Sequence, residues 1–275
     1  MSIAPPVPYF GGKQRIAERI VELFPAHQHY VEPFAGGLSV LLAKPASALE
    51  TINDLDQDLI TFWRVLRDQP DDLARVCGLT PHGRAEHQAS YNRPDNLTDL
   101  ERARRIWVQL TQGRTGTLRK TGWRFHADAG GTTMGMPAYL AGYLGRMAPA
   151  AARLANVSLE CRPGLEVVAA YSHPGTLLYV DPPYLRTTRS GMGYRHEMPD
   201  EAEHRGLAEA LNSTSAAVVL SGYHSPLYDE LYSGWYVHEI SATTGQGSVW
   251  KERTEVLWSN FTPQGVLDFE DGGAA

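Results

Sequence analysis

The sequence predicts an α/β protein with a mostly parallel, twisted sheet, an antiparallel late strand and a mostly helical insertion. Short apolar segments with strand character alternate with helical spacing near both ends of the chain, and this alternation is interrupted in the middle. Such alternation favours right-handed βαβ units and therefore a parallel sheet. The 275 residues are 43% hydrophobic and 20% charged, which is enough for a packed core.

The first part of the chain alternates between helix and strand signals. Residues 13–24 carry apolar side chains at helical spacing and stop before Pro25, which cannot continue a helix. The patterns that follow predict two strands and two further helices, over residues 29–32 and 47–53 and over residues 38–43 and 56–67.

The middle of the chain has a different character. Helical patterns cover residues 99–112 and 137–154, whereas residues 113–135 are rich in Gly, Thr and Arg and have no helical period. A Gly-rich segment without helical period predicts a hairpin and a long loop. We therefore assign residues 1–68 and 154–275 to one α/β domain and residues 69–153 to an insertion.

The alternation resumes after the insertion. The apolar patterns predict strands over residues 157–160, 176–180 and 216–221, a helix between the first two, and a further helix over residues 201–211. Two late strands, over residues 236–241 and 255–260, are joined by a Gly-containing link. That link allows the late pair to be antiparallel.

Charge is distributed unevenly along the chain. The net charge is −6, which by itself argues weakly against a nucleic-acid partner. Residues 102–124 nevertheless hold seven basic side chains and no acidic one, so this segment is +7 and the remainder −13. The segment is either a contact surface for phosphates or a solvated helix face and loop, and charge alone does not decide between them.

The N-terminus and the cysteines indicate the compartment. Cys77 and Cys161 form no CxxC pair, which favours a reducing environment. Residues 1–9 lack a basic segment followed by an apolar one, and no apolar run approaches the roughly 20 residues that span a membrane. We expect a soluble, cytoplasmic protein.

The strongest chemical signal is the tetrapeptide Asp181-Pro182-Pro183-Tyr184, which follows a predicted apolar strand. Open α/β sheets bind ligands at the carboxyl ends of their strands. A carboxylate, a proline carbonyl and an aromatic ring together suit a planar amine, because the two oxygens accept its protons and the ring stacks on it. The alternative is a strand-ending turn with Tyr184 as a core ring.

A second signal is Glu32-Pro33-Phe34-Ala35-Gly36-Gly37, between a predicted strand and a helix. Glycines at this position allow a tight turn and close approach of the backbone to a ligand. Asp54 ends the next strand, where nucleotide-binding sheets place a carboxylate for ribose hydroxyls. The alternative for Asp54 is an N-cap of the helix that begins near residue 56.

A third signal is Pro8-Tyr9-Phe10-Gly11-Gly12-Lys13, just before the first predicted helix. Glycines and a lysine at a helix start favour an anion site. Their order differs from the phosphate-binding loop G-x-x-x-x-G-K-[ST], so the segment does not indicate ATP binding.

These three motifs, in this order, resemble those of the Dam-type adenine-specific DNA methyltransferases. The resemblance extends from Pro8 to about Phe261 and includes Ser221-Gly222-Tyr223 and the segment 253–258. It implies a Rossmann-like methyltransferase fold, transfer of the methyl group of AdoMet to the N6 amino group of a flipped-out adenine, and no metal. The insertion is then the part that recognises the DNA target.

The resemblance also implies roles for individual residues. The catalytic ones are Asp181, Pro182 and Tyr184. Those that bind AdoMet are Tyr9, Lys13, Glu32, Pro33, Phe34, Gly36, Asp54, Leu55 and Asp181, with Leu165 as a second apolar wall. Two positions depart from the family pattern: Leu38 stands where relatives have a glycine, and Pro163 where they have an acid, so the turn and the contact to the AdoMet adenine are expected to differ.

The expected macromolecular partner is double-stranded DNA, with a homodimer as a possibility if the target site is palindromic. The basic residues that we expect to contact phosphates or guanines are Arg104, Arg105, Arg114, Arg119, Lys120, Arg124, Arg186 and Arg189. Rival readings are methylation of cytosine N4, of adenine in RNA or of a glutamine amide, and a DNA-binding module without activity.

Overall fold

The protein is described by a computed structural model that covers residues 2–125, 135–185, 193–246 and 249–262. Its seven strands form one sheet in the order β3-β2-β1-β4-β5-β7-β6. Strands β1 to β5 are parallel, and β7 lies antiparallel between β5 and β6. The predicted α/β class, the parallel sheet and the antiparallel end are therefore confirmed.

The strands agree closely with the sequence pattern. The predicted strands over residues 29–32 and 176–180 have the bounds seen in the structure, whereas the two late strands are longer than predicted. The strands are β1 His29–Glu32, β2 Leu49–Asn53, β3 Ser158–Glu160, β4 Thr176–Val180, β5 Ala217–Gly222, β6 Tyr236–Gln246 and β7 Val249–Ser259.

The strand order creates a crevice between β1 and β4. The chain runs from β1 outward to β2 and β3, then returns to the other side of β1 to form β4 and β5. This is the Rossmann-like order, and ligands bind at the point where the order reverses, outside the carboxyl ends of the strands. The loops that leave β1 at Glu32 and β4 at Val180 therefore border one crevice.

Helices cover the sheet and form most of the insertion. They are α1 Ala17–Val21, α2 Ser39–Ala43, α3 Gln57–Asp68, α4 Pro70–Gly78, α5 Arg84–Ala89, α6 Asp99–Gln112, α7 Met136–Leu144, α8 Met147–Leu154, α9 Gly164–Ala170, α10 Glu201–Ser213 and α11 Pro226–Leu231. Within the four described ranges, no helix has the length and apolar character needed to cross a membrane.

Two helix predictions need correction. The first helix is shorter than predicted, because residues 13–16 form turns and α1 begins only at Ala17. The predicted helix over residues 137–154 is two helices, α7 and α8, with a break at residues 145–146. Pro149 explains the break, since it has no N–H for the carbonyl of Gly145 and its ring clashes there.

The insertion is joined to the sheet by a shared hydrophobic core. One buried cluster includes Ile52 of β2 and Trp63 of α3 together with Leu73 of α4, Trp107 of α6 and Met147 of α8. The loop between α6 and α7 contains an antiparallel bridge between residues 113 and 123, which agrees with the hairpin predicted there. Residues 69–153 thus extend the helical layer that packs beside α3.

A buried ion cluster fixes the start of β2. Glu50 accepts hydrogen bonds from Lys44 Nζ at 2.7 Å and from Arg153 Nη2 at 2.7 Å, and its side chain is only 4% exposed. Burial by itself raises the pKa of Glu50, but the donors Arg153 and Lys44 outweigh it and hold the pKa below its ordinary value. One carboxylate therefore pairs with two cations, one from α8 and one from the end of α2.

We predict that Glu50→Gln lowers the free energy of unfolding by about 3–5 kcal/mol, because it leaves buried cations without their counter-charge. Urea unfolding followed by circular dichroism measures this. The matched control is Glu166→Gln, which removes an ion pair to Arg162 from a side chain that is 57% exposed and should change stability by less than about 1 kcal/mol. Equal effects of the two substitutions would contradict the assigned role.

Candidate active site

The predicted ligand-binding residues meet in one cavity at the carboxyl ends of the strands. The cavity lies in the crevice between the loops that follow β1, β2 and β4, and the N-terminal loop and residues 194–198 complete it. All nine residues predicted for the cofactor line it: Tyr9, Lys13, Glu32, Pro33, Phe34, Gly36, Asp54, Leu55 and Asp181, and Leu165 lies there too. Residues 172 positions apart in the chain are thus brought together; their individual roles stay predictions.

Leu38 adopts a glycine-like backbone conformation in the turn after β1. Leu38 has a φ of 57°, the left-handed conformation that favours glycine. Its side chain is fully buried in the core, and that packing holds a conformation that is unfavourable for leucine. Gly36 also has a positive φ, and a Cβ there would lie 2.8 Å from the Tyr9 ring. The expectation that the turn differs from that of relatives stays a prediction.

Asp54 lies at the end of β2 and is not the helix N-cap. The cap of α3 is Asp56, whose side chain accepts from the amides of Asp58 and Leu59. Asp54 instead accepts from the Gly36 amide at 3.0 Å and the Asp56 amide at 2.8 Å. Burial raises the pKa of Asp54 to about 6, against the effect of these two amides. Its carboxylate therefore connects two loops at the cavity wall.

Glu32, the last residue of β1, is a second buried carboxyl group of the cavity. It is 2% exposed and accepts a hydrogen bond of 2.7 Å from the hydroxyl of Tyr30. Burial raises the pKa of Glu32 to about 8, although the Tyr30 hydrogen bond opposes the shift. A cationic ligand in the cavity would favour the ionised form.

Lys13 is paired internally rather than presented to an anion. Its ammonium lies 2.8 Å from Asp181 Oδ2, 3.5 Å from Glu255 Oε1 and 2.9 Å from the carbonyl of Gly11. Burial tends to lower the pKa of Lys13, but Asp181 and Glu255 outweigh it and hold the pKa well above its ordinary value. The anion site predicted from the glycines and the lysine is thus filled by two carboxylates of the chain itself.

Asp181 directly follows β4 and borders the cavity. Burial and the neighbouring Glu255 raise its pKa, and the ammonium of Lys13 opposes that shift. Pro183 also lines the cavity, whereas Pro182 is buried behind it. The predicted pairing of Asp181 with the Pro182 carbonyl stays a prediction.

Tyr184 requires a correction. Its ring was expected to stack on a base, but it is only 6% exposed and packs edge-on against Tyr223 with ring centroids 4.8 Å apart. Its hydroxyl contacts Asp181 Oδ1 at 2.8 Å and also Glu255. In this structure the Tyr184 hydroxyl contacts the acids of the site and the ring face is not open, and a catalytic role of Tyr184 stays a prediction.

Sequence reasoning assigned no role to Glu255 or to Ser221. Glu255 is 6% exposed on β7 and accepts from the Ser221 hydroxyl at 2.6 Å. A signal was present in the sequence, because an acid next to the apolar run Val256-Leu257-Trp258 is unusual in a buried strand.

A segment that follows the tetrapeptide, residues 194–198, lines the cavity. Arg195 donates to Asp56 and Asp58 at the start of α3, at 2.8 and 3.0 Å, and to the carbonyl of Leu118 in the insertion at 3.0 Å. The ring of Tyr194 packs against Phe10 with centroids 5.3 Å apart. Residues 194–198 are thereby held between the sheet and the insertion.

Comparison with known proteins identifies the family. Residues 9–246 match the family model described as D12 class N6 adenine-specific DNA methyltransferase. The chain belongs to this D12 class of adenine-specific DNA methyltransferases. The Dam-type resemblance is therefore confirmed, and adenine in DNA is favoured over cytosine N4, RNA or a glutamine amide, and an enzyme over an inactive binding module.

Three known proteins are similar to this chain to different degrees. The type II methyltransferase M1.LlaDCHI of Lactococcus lactis subsp. cremoris is 29% identical over 95% of this chain and 96% of its own length. A SAM-dependent methyltransferase of Agrobacterium tumefaciens is 12% identical with a TM-score of 0.39; it covers 88% of this chain, which spans 58% of that structure. The rRNA methyltransferase aviRa of Streptomyces viridochromogenes covers 93% and 87% of the two chains, at 14% identity and a TM-score of 0.37.

The methyltransferase presents only part of its basic segment to solvent. Arg104 and Arg105 form ion pairs with Glu101 at 2.6 Å, and Arg104 also pairs with Glu86. Arg124 donates to the carbonyls of Gly113 and Arg114 and lies over the Tyr139 ring. These contacts favour structural roles over the DNA contacts that we predicted for Arg104, Arg105 and Arg124.

The remaining candidates differ in position. Arg119 is half-buried and reaches the Tyr194 carbonyl at 3.4 Å, whereas Arg114 and Lys120 are exposed in the loop between α6 and α7. Arg186 and Arg189 lie outside the described residues. Arg114 and Lys120 are therefore the best placed of the described candidates to contact phosphates.

We predict that Arg114→Ala and Lys120→Ala each weaken DNA binding and reduce the slope of log K against log salt by about 1, as expected for a lost phosphate contact. Fluorescence anisotropy with duplex DNA at several salt concentrations measures the slope. The control is Arg205→Ala, an exposed arginine of α10 that pairs with Glu230 and lies outside the insertion. An unchanged slope in both loop variants would place the DNA surface elsewhere.

Proposed function

We propose that the cavity binds AdoMet and that Asp181 holds the amino group of an adenine flipped out of double-stranded DNA. The supporting observation is the position of Asp181, which borders a cavity that also contains Glu32 and Asp54 at the switch point of the sheet. The mechanism needs the amino group beside the methyl donor, and Asp181 borders the same cavity as the residues that we expect to bind that donor.

The residues of the cavity suit AdoMet. Several carboxyl groups border it, among them those of Glu32, Asp54 and Asp181, and they suit a molecule that carries a sulfonium and an ammonium charge. Leu55 and Leu165 line the same cavity although they are 48% and 41% exposed. Exposed apolar side chains beside a ligand cavity suit a planar adenine ring.

The family resemblance distributes the parts of AdoMet over these residues. Glu32, Pro33, Phe34 and Gly36 lie beside the methionine part, together with Tyr9. Asp54 holds the ribose hydroxyls, and Leu55 and Leu165 enclose the adenine. Pro163, in place of an acid, also lines the cavity and leaves the adenine amino group to other partners.

The chain's own contribution to the reaction is position and electrostatics. AdoMet, when bound, supplies the methyl group. The Asp181 carboxylate and the Pro182 carbonyl accept the two amino protons of adenine, which turns the nitrogen lone pair towards the donor. Charge develops on this nitrogen during transfer, so a fixed carboxylate stabilises the transition state more than the ground state.

The target base must leave the duplex to reach Asp181, at a cost of about a few kcal/mol. Residues 194–198 line the cavity and are held by Arg195 between α3 and the loop that joins α6 to α7. Tyr184 contributes by positioning Asp181 through its hydroxyl. The two free cysteines suit the cytoplasm, where the DNA and AdoMet are available.

We predict that Asp181→Asn lowers the single-turnover rate of methyl transfer by about 10²–10³-fold, because the amide cannot stabilise charge on the nitrogen. Transfer from radiolabelled AdoMet to duplex DNA, followed by nucleoside analysis, measures the rate and identifies the product. The control is Asp229→Asn, which changes an acid that is 55% exposed on α11. A variant at position 181 with more than a tenth of the normal rate would contradict the assignment.

We predict that AdoMet binding tightens by up to tenfold between pH 6.5 and 7.5. The pKa of Glu32 is about 8 in the free protein, so the group is mostly protonated in this range and must release a proton to face a cation. Calorimetry in buffers of different ionisation enthalpy measures both the affinity and the released proton. Glu32→Gln should flatten the pH dependence, and a normal pH dependence in that variant would assign the proton to another group.

A further inference from the structure

Glu255 is a buried acid beside the carboxylate that we propose to hold the amino group. It lies on the antiparallel strand β7, far in sequence from the tetrapeptide, and is 6% exposed. The titratable groups that face it are Lys13 of the N-terminal loop, Tyr179 and the pair Asp181 and Tyr184 from β4 and its end. The Ser221 hydroxyl of β5 donates to it at 2.6 Å.

The Tyr184 hydroxyl connects Glu255 to Asp181. Its oxygen is 2.8 Å from Asp181 Oδ1 and in contact with Glu255 Oε1. A hydroxyl has one hydrogen to donate and accepts through its lone pairs. Both contacts are hydrogen bonds only when one of the two carboxyl groups carries a proton, so the geometry accommodates one proton shared between Asp181 and Glu255.

Lys13 also stabilises the state in which neither Asp181 nor Glu255 carries a proton. Its ammonium is 2.8 Å from Asp181 and 3.5 Å from Glu255, so it neutralises part of the charge of two ionised carboxylates. The pair therefore has two accessible states, one ionised and one with a single shared proton. A group with these two states is suited to accept a proton during a reaction.

We propose that Glu255 receives, through the Tyr184 hydroxyl, the proton that the adenine amino group gives to Asp181. This inference rests on the proposed function. As the bond from N6 to the methyl carbon forms, the bond from carbon to sulfur breaks and its electron pair goes to sulfur. N6 gives one proton to Asp181, Asp181 passes a proton to the Tyr184 oxygen, and Tyr184 passes its own proton to Glu255.

The relay restores Asp181 to its ionised form while the proton is stored away from the new methylamine. After the methylated base leaves, the same path in reverse returns the proton through Asp181, which borders the open cavity. Glu255 acts through Tyr184 and touches no substrate atom, so it is a positioning residue that supports Asp181 and is not itself a catalytic residue.

The test is the pH dependence of single-turnover methyl transfer in Glu255→Gln. We expect a plateau rate lower by about 10–100-fold, with AdoMet affinity and melting temperature close to normal. The acid limb of the pH–rate profile is the range in which the rate falls as the pH is lowered. It should move to lower pH, because the substitution removes a like charge that raises the pKa of Asp181. A solely structural role would not move this limb.

Two further variants complete the experiment. Ser221→Ala removes a hydrogen bond to the Glu255 carboxylate and should move the acid limb in the opposite direction, to higher pH. Glu239→Gln is the matched control, since Glu239 is on the neighbouring strand β6 with its side chain 58% exposed, and its rate and pH profile should be normal.

A normal rate and profile in Glu255→Gln would overturn the relay, and so would a slower rate with an unmoved acid limb. If Glu255→Gln does not fold, Ser221→Ala decides by whether its acid limb moves. Absence of adenine methylation by the unaltered enzyme would instead contradict the proposed function, so the two failures are distinguishable.

Discussion

The contact between the Lys13 ammonium and the carboxylates of Asp181 and Glu255 is the interaction on which the site depends. Charges buried from water are stable only when they are paired and hydrogen-bonded. Lys13 comes from the N-terminal loop, Asp181 from the end of β4 and Glu255 from β7. One cation thereby joins three distant parts of the chain and holds the carboxylate that borders the cavity.

The sheet determines where this contact forms. Because β4 lies beside β1, the loops after both strands end at the same crevice, and Asp181 comes close to Glu32 and Asp54. The antiparallel strand β7 pairs with β5 and brings Glu255 next to Ser221. The parallel strands thus place Asp181 at the cavity, and the antiparallel strand β7 places Glu255 beside it.

Local patterns predicted the fold and the cavity, but not the pairing of side chains. The strands at residues 29–32 and 176–180 and the helix at 99–112 follow from apolar periodicity, which depends on nearby residues. Tyr184 was misjudged because its burial depends on Tyr223 and Glu255, which are distant in sequence. The ion pairs of Arg104 were not predicted for the same reason, since Glu86, on another helix, is one of its partners.

The most direct test of this account is a measurement of the pKa of the Lys13 side chain. NMR of the side-chain ammonium in protein labelled with nitrogen-15 lysine follows its ionisation, and the variant Lys13→Arg assigns the signal. The account predicts a pKa above the ordinary lysine value of about 10.4 and a decrease in Asp181→Asn. A Lys13 that loses its proton at or below the ordinary value, or whose pKa is the same in both proteins, would contradict the central role of this contact.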